Sequence, residues 1–259
     1  MIRRVTAAVP RQPSARRLVA EYLGSLLLAA LVIGSGIAAQ RLSPTDTGLQ
    51  LTENAAATAA GLFAIILMFA PLSGAHFNPV VSGVDAALGG LTWRQALAYI
   101  PAQIAGCVSG AVLANLMFAT AAVSISTKTR ATTAHGLAEV VATIGLVLVI
   151  FALTRSGRGD RVPAAVGAYI GAAYWFTSST SFANPAITIG RMFSDTFAGI
   201  APASAALFIA AQVVGGGLGL LLVRYLFPAR DRSDHPVTSA AAGATSTSDK
   251  VRNVSGSTR

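Results

Sequence analysis

The sequence predicts an all-α membrane protein with six transmembrane helices and two re-entrant half-helices arranged as an inverted repeat. Three observations predict this. The 259 residues are 53% hydrophobic and 11% charged, roughly half the charge of a soluble domain. Six apolar segments approach the about 20 residues needed to cross a bilayer. Two short stretches, Ser73-Gly74-Ala75-His76-Phe77-Asn78-Pro79-Val80 and Ser181-Phe182-Ala183-Asn184-Pro185-Ala186, interrupt the pattern at matching places.

Taken in order, the chain opens with a basic tail, residues 1–17, carrying Arg3, Arg4, Arg11, Arg16 and Arg17. The apolar run after it is too long for the core of a cleavable signal peptide, so it reads as a first span. The six segments are Leu18–Gln40, Ala55–Leu72, Gln95–Phe118, Gly136–Thr154, Val162–Thr180 and Pro202–Phe227, the second and fifth being the shortest. Each of those two feeds into an Asn-Pro stretch. Asn caps a helix start with its side-chain oxygen, and Pro suits the first helical position. The runs that follow end near Gly89-Gly90 and near Met192. Each is about two to three turns, too short to span. Such half-helices are tolerated in a membrane only when buried in protein or lining a wet cavity. Residues 228–259, rich in Ser, Thr, Ala and Gly, read as a disordered tail.

The channel domain, 18–227, divides into two repeats, about 18–118 and 135–227. Ala20-Glu21 opens one and Ala138-Glu139 the other. Gln103 with Gly106 and Gly110 returns, at one common offset, as Gln212 with Gly215 and Gly219. Three spans per repeat is odd, so the halves are oppositely oriented, which places the functional site at the interrupted helices near the midplane. The paired glycines, with Gly167 and Gly171, read as close helix packing.

Charge and composition exclude several functions. The net charge is +9, but the basic residues lie in tails and connections, not on one face as nucleic acid would require. With the N-terminus inside, all 19 Lys and Arg except Arg41, Lys128, Arg130 and Arg191 fall on the inner side. That bias places both termini in the cytoplasm. Cys107 is the only cysteine, so no intrachain disulfide forms. His76, His135 and His235 are too dispersed for a zinc site. No metal, cofactor or enzymatic activity is expected.

Two half-helices entering from opposite faces would bring their N-termini together. Each carries about half a positive charge from aligned peptide dipoles. Cations and protons are repelled there, while neutral solutes accept hydrogen bonds from the Asn78 and Asn184 amides.

SGAHFNPV and SFANPA resemble the two signature loops of the aquaporin and glycerol-facilitator family, over about residues 18–227. The resemblance implies one pore per subunit and a homotetramer in the inner membrane of the cell, with lipid, small neutral solutes and water as partners. It implies that Asn78, Pro79, Val80, Asn184, Pro185 and Ala186 form the pore motifs. It implies that Glu21 and Glu139 are buried acceptors for the loops, and that His76 braces the first loop.

The chain departs from the family pattern at Ile187, where water-selective members place Arg. By the family's spacing the other filter positions are Ser181, Ala172 and either Thr58 or Ala60. These small side chains imply a pore wider than a water filter. Arg191, one turn beyond Ile187, either reaches back to restore the charge or pairs with Asp195. The missing Arg and SFANPAITIGRMFSDTFAGI resemble a bacterial subgroup associated with arsenic resistance. The expected function is a passive channel for glycerol-like polyols, trivalent arsenic or antimony hydroxides or methylated arsenicals, and water. A water-selective channel and a coupled secondary transporter are the alternatives.

Overall fold

The computed structural model describes residues 14–228, so the two expected tails lie almost wholly outside the described residues. The elements are α1 (Ala15–Leu42), α2 (Thr47–Ser73), α3 (Pro79–Leu88), α4 (Trp93–Met117), α5 (Thr133–Arg155), a single 3-10 turn (Gly159–Arg161), α6 (Val162–Phe176), α7 (Pro185–Arg191) and α8 (Pro202–Leu226). Helices α1, α2, α4, α5 and α8 are each long and apolar enough to cross a membrane.

Local chemistry sets the helix ends. Ser14, Asp46 and Thr132 each cap a helix start with a side-chain oxygen. Thr92 and Gln95 form a reciprocal capping box at the start of α4. Asn78 and Asn184 cap α3 and α7, each followed by Pro in the first turn. The half-helices are 10 and 7 residues long.

One expectation about length is overturned. The second span is not short, because α2 runs for 27 residues from Thr47. Its first turns hold Gln50 and Asn54, which hydropathy alone assigns to a loop. Both are buried and satisfied: Gln50 donates to the Ser43 carbonyl, and Asn54 to the Val32 carbonyl and Ser35 hydroxyl. The fifth span, α6, is the shortest at 15 residues and stops at Phe176, not Thr180.

The halves pack alike. Helix α1 lies on α4 and α2, and α5 lies on α8 and α6. Half-helix α3 is held by α4 and α8, and α7 likewise. Glycines allow the close crossings. A Cβ on Gly215 of α8 would sit 2.6 Å from the Val140 carbonyl oxygen of α5. A Cβ on Gly106 of α4 would collide with the Tyr22 carbonyl of α1. Each helix pair meets backbone to backbone, which replaces hydrophobic driving force by dispersion contact in lipid.

Gly215→Val is therefore expected to destabilise the protein by about 1–3 kcal/mol, the cost of overpacking. Gly217→Ala, where an added Cβ meets nothing within 4 Å, should change little. Thermal unfolding in detergent compares the two, and equal shifts would contradict the close-crossing role.

Candidate functional site

The two loops before the half-helices share an unusual backbone. Ala75 and Phe77 in the first adopt φ of 53° and 51°. Ser181 and Ala183, at the equivalent positions of the second, adopt 49° and 48°. Left-handed conformations cost an L-residue about 1–2 kcal/mol each, so each loop needs compensation. It comes from a fully buried carboxylate. Glu21 accepts from the His76 and Phe77 amides at 3.1 and 2.7 Å, and Glu139 from the Phe182 and Ala183 amides at 2.9 and 2.8 Å. Gln103 and Gln212 complete the mirrored pairs by donating to those carboxylates at 2.8 and 2.6 Å.

The loops are also joined to each other. The Asn78 amide donates to the Ala183 carbonyl at 2.7 Å, and the Asn184 amide to the Phe77 carbonyl at 2.7 Å. Each Asn oxygen meanwhile caps its own half-helix, accepting from Val80 in α3 and from Ala186 and Ile187 in α7. An amide NH2 carries two hydrogens, and the cross-bond uses one of them. The other remains for the cavity that both Asn side chains line.

That cavity holds about 300 Å³ and takes in both loops and both half-helices. Its wall is mostly apolar: Leu62, Ile66 and Ala70 of α2 and Val166 and Ile170 of α6 recur at helical spacing. Three residues on each half-helix line it at the same steps after the cap: Asn78, Val81 and Asp85 on α3, and Asn184, Ile187 and Arg191 on α7. Pro79, Val80, Pro185 and Ala186 do not line it. They start and pack the half-helices, Val80 against Gly216 of α8.

Of the expected filter residues, Thr58, Ser181, Ile187 and Arg191 line one end of the cavity. Ala60 and Ala172 do not, and both are exposed on the outer faces of their helices. The physical reason is helical phase. On α6 the wall is Pro163, Val166, Ile170 and Tyr174, a stripe on which Ala172 cannot lie. Tyr174 thus stands where a small residue was expected. Its hydroxyl bonds Thr58 Oγ1 at 3.2 Å. The i+4 recurrence from Val166 to Tyr174 was the available signal for it.

Arg191 does not pair with Asp195, whose carboxylate instead accepts from the Thr127 amide at 2.9 Å. The Arg191 guanidinium lies over the Phe182 ring at 3.4 Å from its centre and its Nε donates to the Ala198 carbonyl. Arg130 faces the same ring at 5.4 Å, and its Nε donates to the Gly199 carbonyl. Lys128 stands over Phe197. Desolvation, with the Arg130 and Arg191 charges, pushes the Lys128 ammonium down to about 8. Of these three cations Arg191 lines the cavity, backed by the Phe182 face and the Ala198 carbonyl.

At the other end His76 and Asp85 line the wall with Nε2 and Oδ2 3.6 Å apart. His76 Nδ1 is 3.1 Å from the Ser82 hydroxyl. Sequence reasoning assigned Asp85 no role, although it stands seven residues after Asn78, as Arg191 does after Asn184. Among the described residues no group of three or more His, Cys, Asp or Glu could hold a metal ion.

Long apolar helices around a cavity, with two half-helices capped at its centre, define a multi-pass membrane protein of the channel type. The chain belongs to the major intrinsic protein family, whose pattern it matches over residues 9–181. It is 49% identical over 216 residues to aquaglyceroporin AqpS of Rhizobium meliloti (strain 1021), covering 83% of this chain and 92% of that one. It is 29% identical over 245 residues to the probable aquaporin TIP2-2 of Oryza sativa subsp. japonica, covering 88% and 92%. The X-ray structure of the aquaglyceroporin from Plasmodium falciparum superposes with a TM-score of 0.62 at 21% identity, over 80% of this chain and 94% of that one. At that identity the likeness concerns the fold.

Glu139→Leu should strip the acceptor from two loop amides and from Gln212. Each buried donor left unpaired costs about 1–3 kcal/mol, so a large fall in detergent melting temperature is expected. A melting temperature within a degree of the native protein would contradict the bracing role.

Proposed function

We propose that the protein is a passive channel for small neutral solutes, glycerol-like polyols among them, and for water. The observation that carries this reading is the pair of Asn-capped half-helix starts meeting at one lined cavity. Their dipoles make a positive focus that opposes cations and protons, while the free amide hydrogens of Asn78 and Asn184 serve a passing oxygen. The name of the AqpS relative supports polyol passage.

The filter in this reading is Thr58, Tyr174, Ser181 and Ile187, with Arg191 supplying the cation one turn further out. Ile187 makes one wall apolar. Ser181 Oγ is buried without a partner, in a residue that borders the cavity. Trivalent arsenic and antimony hydroxides, uncharged polyols in shape at neutral pH, and methylated arsenicals belong to the same solute class. Tyr174 favours the narrower, water-selective reading, and flux measurements separate the two. Coupled transport is disfavoured because Glu21 and Glu139 are both committed to the loops. The channel reading also carries a homotetramer in the inner membrane, both termini in the cytoplasm, and no catalysis.

Proteoliposomes should swell faster than empty vesicles with glycerol, and a proton gradient should not alter the rate. Movement of water alone would favour the water-selective reading. Ile187→Arg should cut polyol flux severalfold more than water flux. An equal effect on both would remove Ile187 from the filter.

A further inference from the structure

The inverted repeat makes α3 and α7 equivalents, and the seventh residue after each cap lines the cavity. In α7 it is Arg191, a donor. In α3 it is Asp85, an acceptor. We propose that Asp85, oriented by His76, is a second solute-binding group, at the end of the pore opposite Arg191. It would take small neutral solutes with two adjacent O–H or N–H donors, such as vicinal diols and urea. This rests on the channel reading and names a residue that the reading does not use.

The hydrogen-bond network behind Asp85 runs from the protein core outward. Gln103 gives one amide hydrogen to Glu21 and the other to the Ser82 hydroxyl at 3.0 Å. Ser82 therefore accepts from Gln103 and has its own proton to give. Its remaining partner is His76 Nδ1 at 3.1 Å. In the tautomer with Nδ1 accepting, the proton sits on Nε2, the nitrogen that faces Asp85 Oδ2 at 3.6 Å. At that distance His76 faces the carboxylate without a hydrogen bond to it.

The second repeat shows that this outlet is particular to the first. There Gln212 donates to Glu139 and to Thr188 Oγ1, but the Thr188 hydroxyl returns its proton to the Asn184 carbonyl at 2.8 Å. No histidine follows, because Phe182 holds the position equivalent to His76. The two ends therefore differ in kind: one presents guanidinium donors and the other a carboxylate acceptor.

A carboxylate at a mostly apolar wall is costly unless hydrogen-bonded. The His76 ring, 3.6 Å away and beyond hydrogen-bond distance, leaves acceptor sites open on Asp85, whose side chain keeps 21% of its surface accessible. Two adjacent donors on one solute match the two carboxylate oxygens as a bidentate pair. Water can also donate to it, but does not present two donors at that spacing on one rigid frame.

The test compares native, Asp85→Asn, Asp85→Glu and Asp85→Leu proteins in proteoliposomes, reading water permeability and the concentration dependence of glycerol and urea flux. Asp85→Leu should raise the half-saturating concentration of both solutes about tenfold, the worth of one charge-assisted hydrogen bond. Asp85→Asn should fall between, Asp85→Glu should restore most of the native value, and water permeability should change severalfold less than solute half-saturation. Unchanged half-saturation in Asp85→Leu overturns the proposal. So does a parallel loss of water and solute flux, which would mark Asp85 as structural. If native protein passes neither glycerol nor urea, the polyol-channel reading itself has failed, and that result is visible before any variant is measured.

Discussion

Everything at the centre of this molecule depends on two asparagines that each do two things. The oxygen of Asn78 caps α3 while its nitrogen holds the second loop, and Asn184 does the same for α7 and the first loop. The bonds are reciprocal, so neither half-helix can shift without breaking a cap or a cross-link. Loop carbonyls in a membrane interior must be met by protein or by a water-filled cavity. Here the left-handed backbone turns amides toward Glu21 and Glu139, and carbonyls toward the facing Asn.

This arrangement explains why the buried acids are spent on structure. Each glutamate accepts from two loop amides and a glutamine, and the strained loop conformations persist because those bonds over-determine them. The chemistry that remains for solutes lies along one stripe of each half-helix. On α3 it is Asn78, Val81 and Asp85, and on α7 it is Asn184, Ile187 and Arg191. The stripe is donor at the centre, apolar one turn out, and charged two turns out, with opposite signs at the two ends. A neutral solute rich in hydrogen bonds meets a partner at each of these stages, while the apolar steps between them limit how tightly it can be held.

Much of the fold is legible in the sequence because strong local rules write it. Asn-Pro after an apolar segment marks a helix start, and the matching offsets of Gln103 and Gln212 reveal the repeat. The length of α2 was hidden because Gln50 and Asn54 lower hydropathy where buried hydrogen bonds hold them in helix. Tyr174 was hidden for a different reason. Which α6 residues face inward depends on helical phase, and the family's spacing selected Ala172, which is exposed and does not line the cavity. Asp85 was legible only through the repeat, as the partner of Arg191, and composition gives an isolated Asp no meaning. The fate of Arg191 depended on whether Asp195 was free, and Thr127 in a distant loop had already engaged it.

The central claim is that the two Asn side chains act as one coupled element. A double-mutant cycle tests it most directly, measuring unfolding in detergent for Asn78→Ala, Asn184→Ala and the pair. Coupling through the shared loops predicts single losses that fail to add, by about 1 kcal/mol or more, because either change already loosens both half-helices. Losses that add within about 0.5 kcal/mol would mean that each Asn serves only its own helix, and would contradict the account.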